Sequence, residues 1–166
     1  MRVLASSHYV GESAMNHRLR GLNLMSPVSG EPVAIESNRA AIVLVVVHSE
    51  KCDECREYVS SIWHARDEVF QWDERVIVAV RDPSGDTPDF AAPTFEVLID
   101  DQHKLPISGT GVMVADEWGE VFHATAGHHR FLAPSALAEW LRFVAMQCPE
   151  CEQPEGPWRE IQSHGS

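Results

Sequence analysis

The chain has no apolar run long enough to cross a bilayer, and its first residues, MRVLASSHYVGESAMNHR, contain no apolar h-region. The first absence excludes a helical membrane span, and the second gives no sign of a secretory signal. The cytoplasm is therefore the expected location. Positive charge is scarce: 13 Lys and Arg stand against 25 Asp and Glu, a net charge of -12. Such a balance argues against nucleic acid and anionic membrane surfaces as partners. Cysteine is also sparse, with four in 166 residues, and none is left outside a C-x-x-C pair, Cys52/Cys55 or Cys148/Cys151. In a reducing compartment that usage points to redox-active or metal-binding pairs rather than a structural disulfide framework. No internal repeat is present. The length, with 44% hydrophobic and 23% charged residues, suits one globular domain with a core of ordinary size.

What is there centres on residues 40–70. Ala40 to Val47 is a continuous apolar run rich in β-branched residues, which predicts a strand buried on both faces. After His48-Ser49-Glu50-Lys51 the pattern turns helical. Cys55, Tyr58/Val59, Ile62/Trp63 and Val69/Phe70 recur on one helix face. Cys52 and Cys55 thus fall in the first turn of a helix that leaves a central strand. The helix dipole and unpaired N–H groups there favour a thiolate.

Residues 1–20 read as an irregular lead-in. Leu22 to Met25, Ser29-Gly30 and Pro32 to Ile35 predict a short hairpin. Arg75 to Val80 predicts a second buried strand that closes a right-handed β-α-β unit. Asp82 to Pro93, dense in Pro, Asp, Gly and Ser, is a loop, and Phe95 to Ile99 is a brief apolar segment. Pro106 and Gly109 leave little room for helix between Asp100 and Thr110. Gly111 to Ala115 and Glu120 to Ala124 flank Asp116-Glu117-Trp118-Gly119 as an antiparallel hairpin. Pro134-Ser135 opens a last helix with Leu137, Leu141, Val144 and Cys148 on one face, and Pro149 stops it. Residues 21–147 form the expected domain, and residues 148–166 carry Cys148-Pro149-Glu150-Cys151 and a Pro/Gly/Glu-rich tail.

This order, with a C-x-x-C opening the first major helix, resembles the thioredoxin-like superfamily, in its redoxin (AhpC/TSA, peroxiredoxin-like) branch. Val10-Gly11-Glu12-Ser13-Ala14 is similar to that branch's V-G-D-x-A opening, and Gly30 to Ile35 to its G-x-x-V-x-L hairpin. Phe95 to Asp100 resembles its F-x-V-L-x-D segment, and Val112 to Val121 its final V-x-V-x-D-x-x-G-x-V hairpin. The resemblance implies an α/β, thioredoxin-like fold, with a central mixed sheet flanked by helices. It also implies thiol–disulfide exchange with protein or small-molecule thiols and disulfides, without an organic cofactor.

Exchange needs an attacking thiolate and a second thiol close enough to release the mixed disulfide. Cys52 is the expected nucleophile and Cys55 the resolving thiol. Ser49 is placed to cap the helix or to hydrogen-bond the thiolate, and His48 to assist proton transfer. Asp53 and Glu54 between the cysteines oppose thiolate formation and Lys51 and Arg56 partly offset them, so a reductive or sluggish site is expected. Thiol–disulfide oxidoreductase is the first reading. The second is a non-catalytic metal-binding or interaction module of the same fold, in which the pairs bind zinc or another thiophilic metal. Cys148 and Cys151 resemble half of a zinc knuckle, which a homodimer would complete; a second disulfide is the alternative for that pair. His123 with His128-His129 offers a weaker metal reading. A thiol peroxidase ranks third, because Val45 stands at the motif's proline and Thr110 near its arginine.

Overall fold

A computed structural model describes residues 18–36, 39–127 and 131–147. Its elements are β1 (Asn23–Met25), β2 (Pro32–Ala34), β3 (Ala41–Val47), α1 (Asp53–His64), α2 (Arg66–Val69), β4 (Glu74–Val80), β5 (Glu96–Ile99), β6 (Thr110–Asp116), β7 (Val121–Gly127) and α3 (Pro134–Ala145). The seven strands form one mixed sheet in the order β2-β1-β5-β4-β3-β6-β7. β3 lies inside the sheet beside the middle strand, parallel to β4 and antiparallel to β6, and every residue of β3 is buried. A run of β-branched residues suits this position, since each side chain packs on one face or the other without a polar edge to satisfy.

The alternation of β3 sorts the core into two layers. Val43, Val45 and Val47 face a cluster with Cys55, Tyr58, Val59 and Ile62 of α1 and Leu137, Leu141 and Val144 of α3. Ile42, Leu44 and Val46 face a second cluster with Leu19, Leu24, Ile35, Leu105 and Ile107. Each side chain of this size contributes roughly 1.5–3 kcal/mol when fully buried. Both long helices therefore pack on the same face of the sheet. Among the described residues the other face is covered by non-helical chain, from the lead-in and the segment after β5. Pro106 and Gly109 explain why that segment builds a loop rather than a covering helix.

The single helical pattern expected from Cys52 to Phe70 is divided in two. Ala65 leaves the helical region (φ -99°, ψ 15°) and joins α1 to the one-turn α2. The Arg66 guanidinium turns back over the Trp63 ring, 3.8 Å from its centroid, and donates to the Trp63 carbonyl at 2.8 Å. Phe70 then meets Phe95 edge-on, as does Trp63. Between β6 and β7 a bulge at Val114/Ala115 shifts the register, so His123 opposes Val114 while Val121 opposes Ala115. That extra residue turns two consecutive side chains toward α3. Phe122 packs against Phe143, and His123 stacks on Trp140 at 4.5 Å.

Candidate active site

β3 and β4 run parallel, so their carboxyl ends open on the same edge, the usual place for a site in a sheet of this kind. His48 to Lys51 follow β3, and the Cys52 N–H donates to the Ser49 carbonyl at 3.1 Å, closing a tight turn into α1. Cys52 is itself the N-cap: its backbone is extended (φ -77°, ψ 116°) and its sulfur accepts from the Cys55 N–H at 3.3 Å. A sulfur in that position takes one of the N–H groups that a helix start leaves without an intrahelical acceptor.

Cys55 lies one turn deeper and is fully buried, whereas Cys52 is half-buried; no disulfide joins them. The Cys55 thiol is pushed up to about 12, chiefly by burial and then by its hydrogen bond to the Cys52 sulfur. The N–H groups of His48, at 3.4 Å, and of Ser49 act in the opposite direction. The geometry therefore contains an accessible sulfur at a helix start and a buried, protonated one beside it.

Cys52 borders a cavity of about 830 Å³, with His48, Arg81, Asp82, Asp101 and Thr110 among the other lining residues. The His48 side chain is exposed, with Nε2 3.8 Å from Oδ2 of Asp82. Ser49 is buried; its hydroxyl accepts from the Lys51 N–H at 3.1 Å and donates to Oε1 of Glu50 at 3.4 Å. Glu50 reaches across to the loop after β4, accepting from the Ser84 N–H and hydroxyl. Burial opposes ionisation of Glu50, but these bonds and the Gly85 N–H together hold its carboxyl below the ordinary range.

Arg81 and Asp100, which directly follow β4 and β5, escape a reading of the sequence alone. They form a buried ion pair, Nε to Oδ2 at 3.2 Å. Arg81 also donates to the carbonyls of Gly109 (3.1 Å) and Leu105 (3.1 Å), and Asp100 accepts from the N–H groups of Lys104 (2.7 Å) and Leu105 (3.2 Å). The pair thus ties the loop 100–109 into the wall of the Cys52 cavity. One available signal was position: each residue is a charge immediately after a parallel strand, at the edge where the candidate site forms.

Thr110 opens β6 beside the cavity, and its hydroxyl donates to the Gly127 carbonyl at 2.9 Å. Gly109 precedes it with φ +76°, and a Cβ there would lie 2.8 Å from the Gly127 oxygen, so only glycine fits. Tyr58 stacks on Phe131 at 4.6 Å, and burial pushes its hydroxyl up. A second cavity, of about 550 Å³, opens near the start of β4 and is lined by Arg39, Glu74 and Arg75 among others. It lies at the other end of that strand from Arg81.

Cys148, Cys151, His128 and His129 fall outside the described residues, as does the Val10 to Ala14 segment. His123 is half-buried against Trp140, and burial lowers its pKa. Among the described residues no three His, Cys, Asp or Glu side chains gather as metal ligands, and no helix is long and apolar enough to cross a membrane.

No family model matches the chain, and no curated protein matches it by sequence. Solved structures do. An uncharacterized thioredoxin-like protein from Porphyromonas gingivalis is 16% identical, with a TM-score of 0.58 over 78% of this chain and 92% of that one. A peroxiredoxin-like protein from Aquifex aeolicus is 12% identical, with a TM-score of 0.61 over 81% of this chain and 86% of that one. A thioredoxin-like protein from Aeropyrum pernix is 15% identical, with a TM-score of 0.53 over 85% and 96%. With its mixed sheet, its helices and these likenesses, the chain has the thioredoxin-like fold that thioredoxin-like and peroxiredoxin-like proteins share.

Proposed function

We propose that the chain is a thiol–disulfide oxidoreductase acting through Cys52 and Cys55 on protein or small-molecule disulfides. One observation carries the reading: a half-buried sulfur caps α1 at a cavity, hydrogen-bonded to a buried thiol one turn below. The Cys52 thiolate attacks a substrate sulfur and expels the other as a thiolate. Cys55 then loses its proton, attacks the Cys52 sulfur and releases the second half of the substrate, leaving a Cys52–Cys55 disulfide. Burial of Cys55 keeps it protonated until then, so the two thiols do not compete as nucleophiles. His48 sits at the cavity edge with Asp82 beside it and is positioned to take up or return protons. Reducing equivalents come from a partner thiol protein or glutathione, in a reducing compartment such as the cytoplasm, and no organic cofactor is called for.

The test is trapping. Cys55→Ser should accumulate a stable mixed disulfide on Cys52, detectable by mass, when the protein meets a disulfide substrate. Cys52→Ser should lower the exchange rate at least about a hundredfold and trap nothing. A mixed disulfide trapped on Cys55 in the Cys52→Ser variant, with none on Cys52 in the Cys55→Ser variant, would overturn the assignment of roles.

A further inference from the structure

The cavity beside Cys52 carries an excess of negative charge. Arg81 lines it, but its charge is answered by Asp100 at 3.2 Å and three of its N–H groups by that carboxylate and the Gly109 and Leu105 carbonyls. Asp82 and Asp101 are exposed at the rim, with His48 and His103 the other titratable groups there. Of the six carboxylates between Asp82 and Gln102, Asp100 pairs with Arg81 and Glu96 with Arg75; the other four, Asp82, Asp86, Asp89 and Asp101, lie in a stretch without lysine or arginine. Glu50, fastened to Ser84 in that stretch, adds a carboxylate held below its ordinary pKa range. In the exposed first turns of α1, Asp53, Glu54 and Glu57 outnumber Lys51 and Arg56. The whole chain adds its net charge of -12 to the same field.

We infer that the Cys52/Cys55 site selects disulfides carrying positive charge next to the sulfurs and disfavours anionic ones. The inference rests on the exchange reading and names its substrate class. A field of one sign over a concave site raises the local concentration of opposite charge and slows the approach of like charge. The chemistry is unchanged by the choice. The Cys52 thiolate and Cys55 thiol reduce R–S–S–R to one R–SH and one R–S⁻, and the two protein sulfurs end as a disulfide. The Cys55 proton leaves with the products.

Three disulfides of similar size separate charge from shape: cystamine (two ammonium groups), bis(2-hydroxyethyl) disulfide (neutral) and 3,3′-dithiodipropionate (two carboxylates). Oxidation of the full-length dithiol by each would be followed by mass spectrometry and normalised to dithiothreitol reacting with the same disulfide. At low ionic strength the normalised rate should be at least about tenfold higher for cystamine than for dithiodipropionate. That ratio should collapse toward one in about 0.5 M salt, where the Debye length is only a few ångströms. The double variant Asp82→Asn/Asp101→Asn should narrow it. A flat or inverted order, with all three disulfides oxidising the pair, would overturn the charge selection and leave exchange standing. If none oxidises the pair, both readings fall.

Discussion

Cys52 and Cys55 differ by one helical turn and by nearly everything that sets thiol reactivity. The first caps a helix at a cavity, and the second is buried and pushed up to about 12. Their order in the sequence, together with the helical pattern after them, was enough to place both. The side chains that shape the cavity wall were not legible in the same way. Arg81 looks like a surface charge after RVIVAV, yet it is 5% exposed, and only the fold brings Asp100 to it from 19 residues away. Arg81→Met leaves Asp100 as an unpaired buried charge and frees two carbonyls. A loss of about 3–5 kcal/mol in urea unfolding is expected, and less than the sum of the single effects when Asp100→Leu is combined with it. Glu74 is a second buried acid, and burial, with a further contribution from the charge of Asp73, pushes its carboxyl above 4.5. The folded state then holds a proton that the unfolded chain has lost, so stability falls as pH rises above 4.5 toward the raised value. Asp116, also raised by burial, adds a slope of the same sign. Glu74→Gln should reduce this loss between about pH 4 and pH 7 and make the protein more stable at neutral pH, as read by urea unfolding across that range.

The elements behaved as their patterns predict where one period dominated. The apolar run of β3 is buried on both faces, and the helical spacing of Cys55, Tyr58, Val59 and Ile62 faces the core. The division at Ala65 was not legible, because it depends on Arg66 folding over Trp63 and on the aromatic contacts of Phe95, which arise in another part of the chain. The bulge that lets Phe122 and His123 both reach α3 has no local marker either. The β6–β7 turn shows the opposite case. Gly119 was expected in the turn, and the fold gives it a further duty. Its φ is +85°, a Cβ would lie 2.8 Å from the Arg20 nitrogen, and its carbonyl accepts from the Leu19 N–H at 2.7 Å. Gly119→Ala should therefore cost about 1–3 kcal/mol, from both strain and displacement of the segment carrying the fully buried Leu19. Thermal unfolding together with limited proteolysis near residue 20 would register both effects.

At the scale of the molecule, one edge of the sheet gathers the residues of the candidate site. The carboxyl ends of β3 and β4 deliver the C-x-x-C turn and Arg81, β5 delivers Asp100, and the start of β6 completes the wall. Both long helices stand on one face, and the loop 100–109, anchored by the ion pair, both covers the other face and lines the cavity. The fold was legible because β-α-β, loop, hairpin and helix follow in an order that few architectures satisfy. The covering of the second face was legible only as an absence of helix signals. The central claim, that Cys52 and Cys55 form a working redox pair, is tested most directly by differential alkylation and mass spectrometry of the full chain. The protein would be equilibrated across a series of dithiothreitol redox buffers, with and without chelator. We expect Cys52 and Cys55 to gain and lose protection together and reversibly within the cytosolic range of potentials, unaffected by chelator. Thiols that stay alkylatable at every potential, or that become so only when chelator is added, would contradict it.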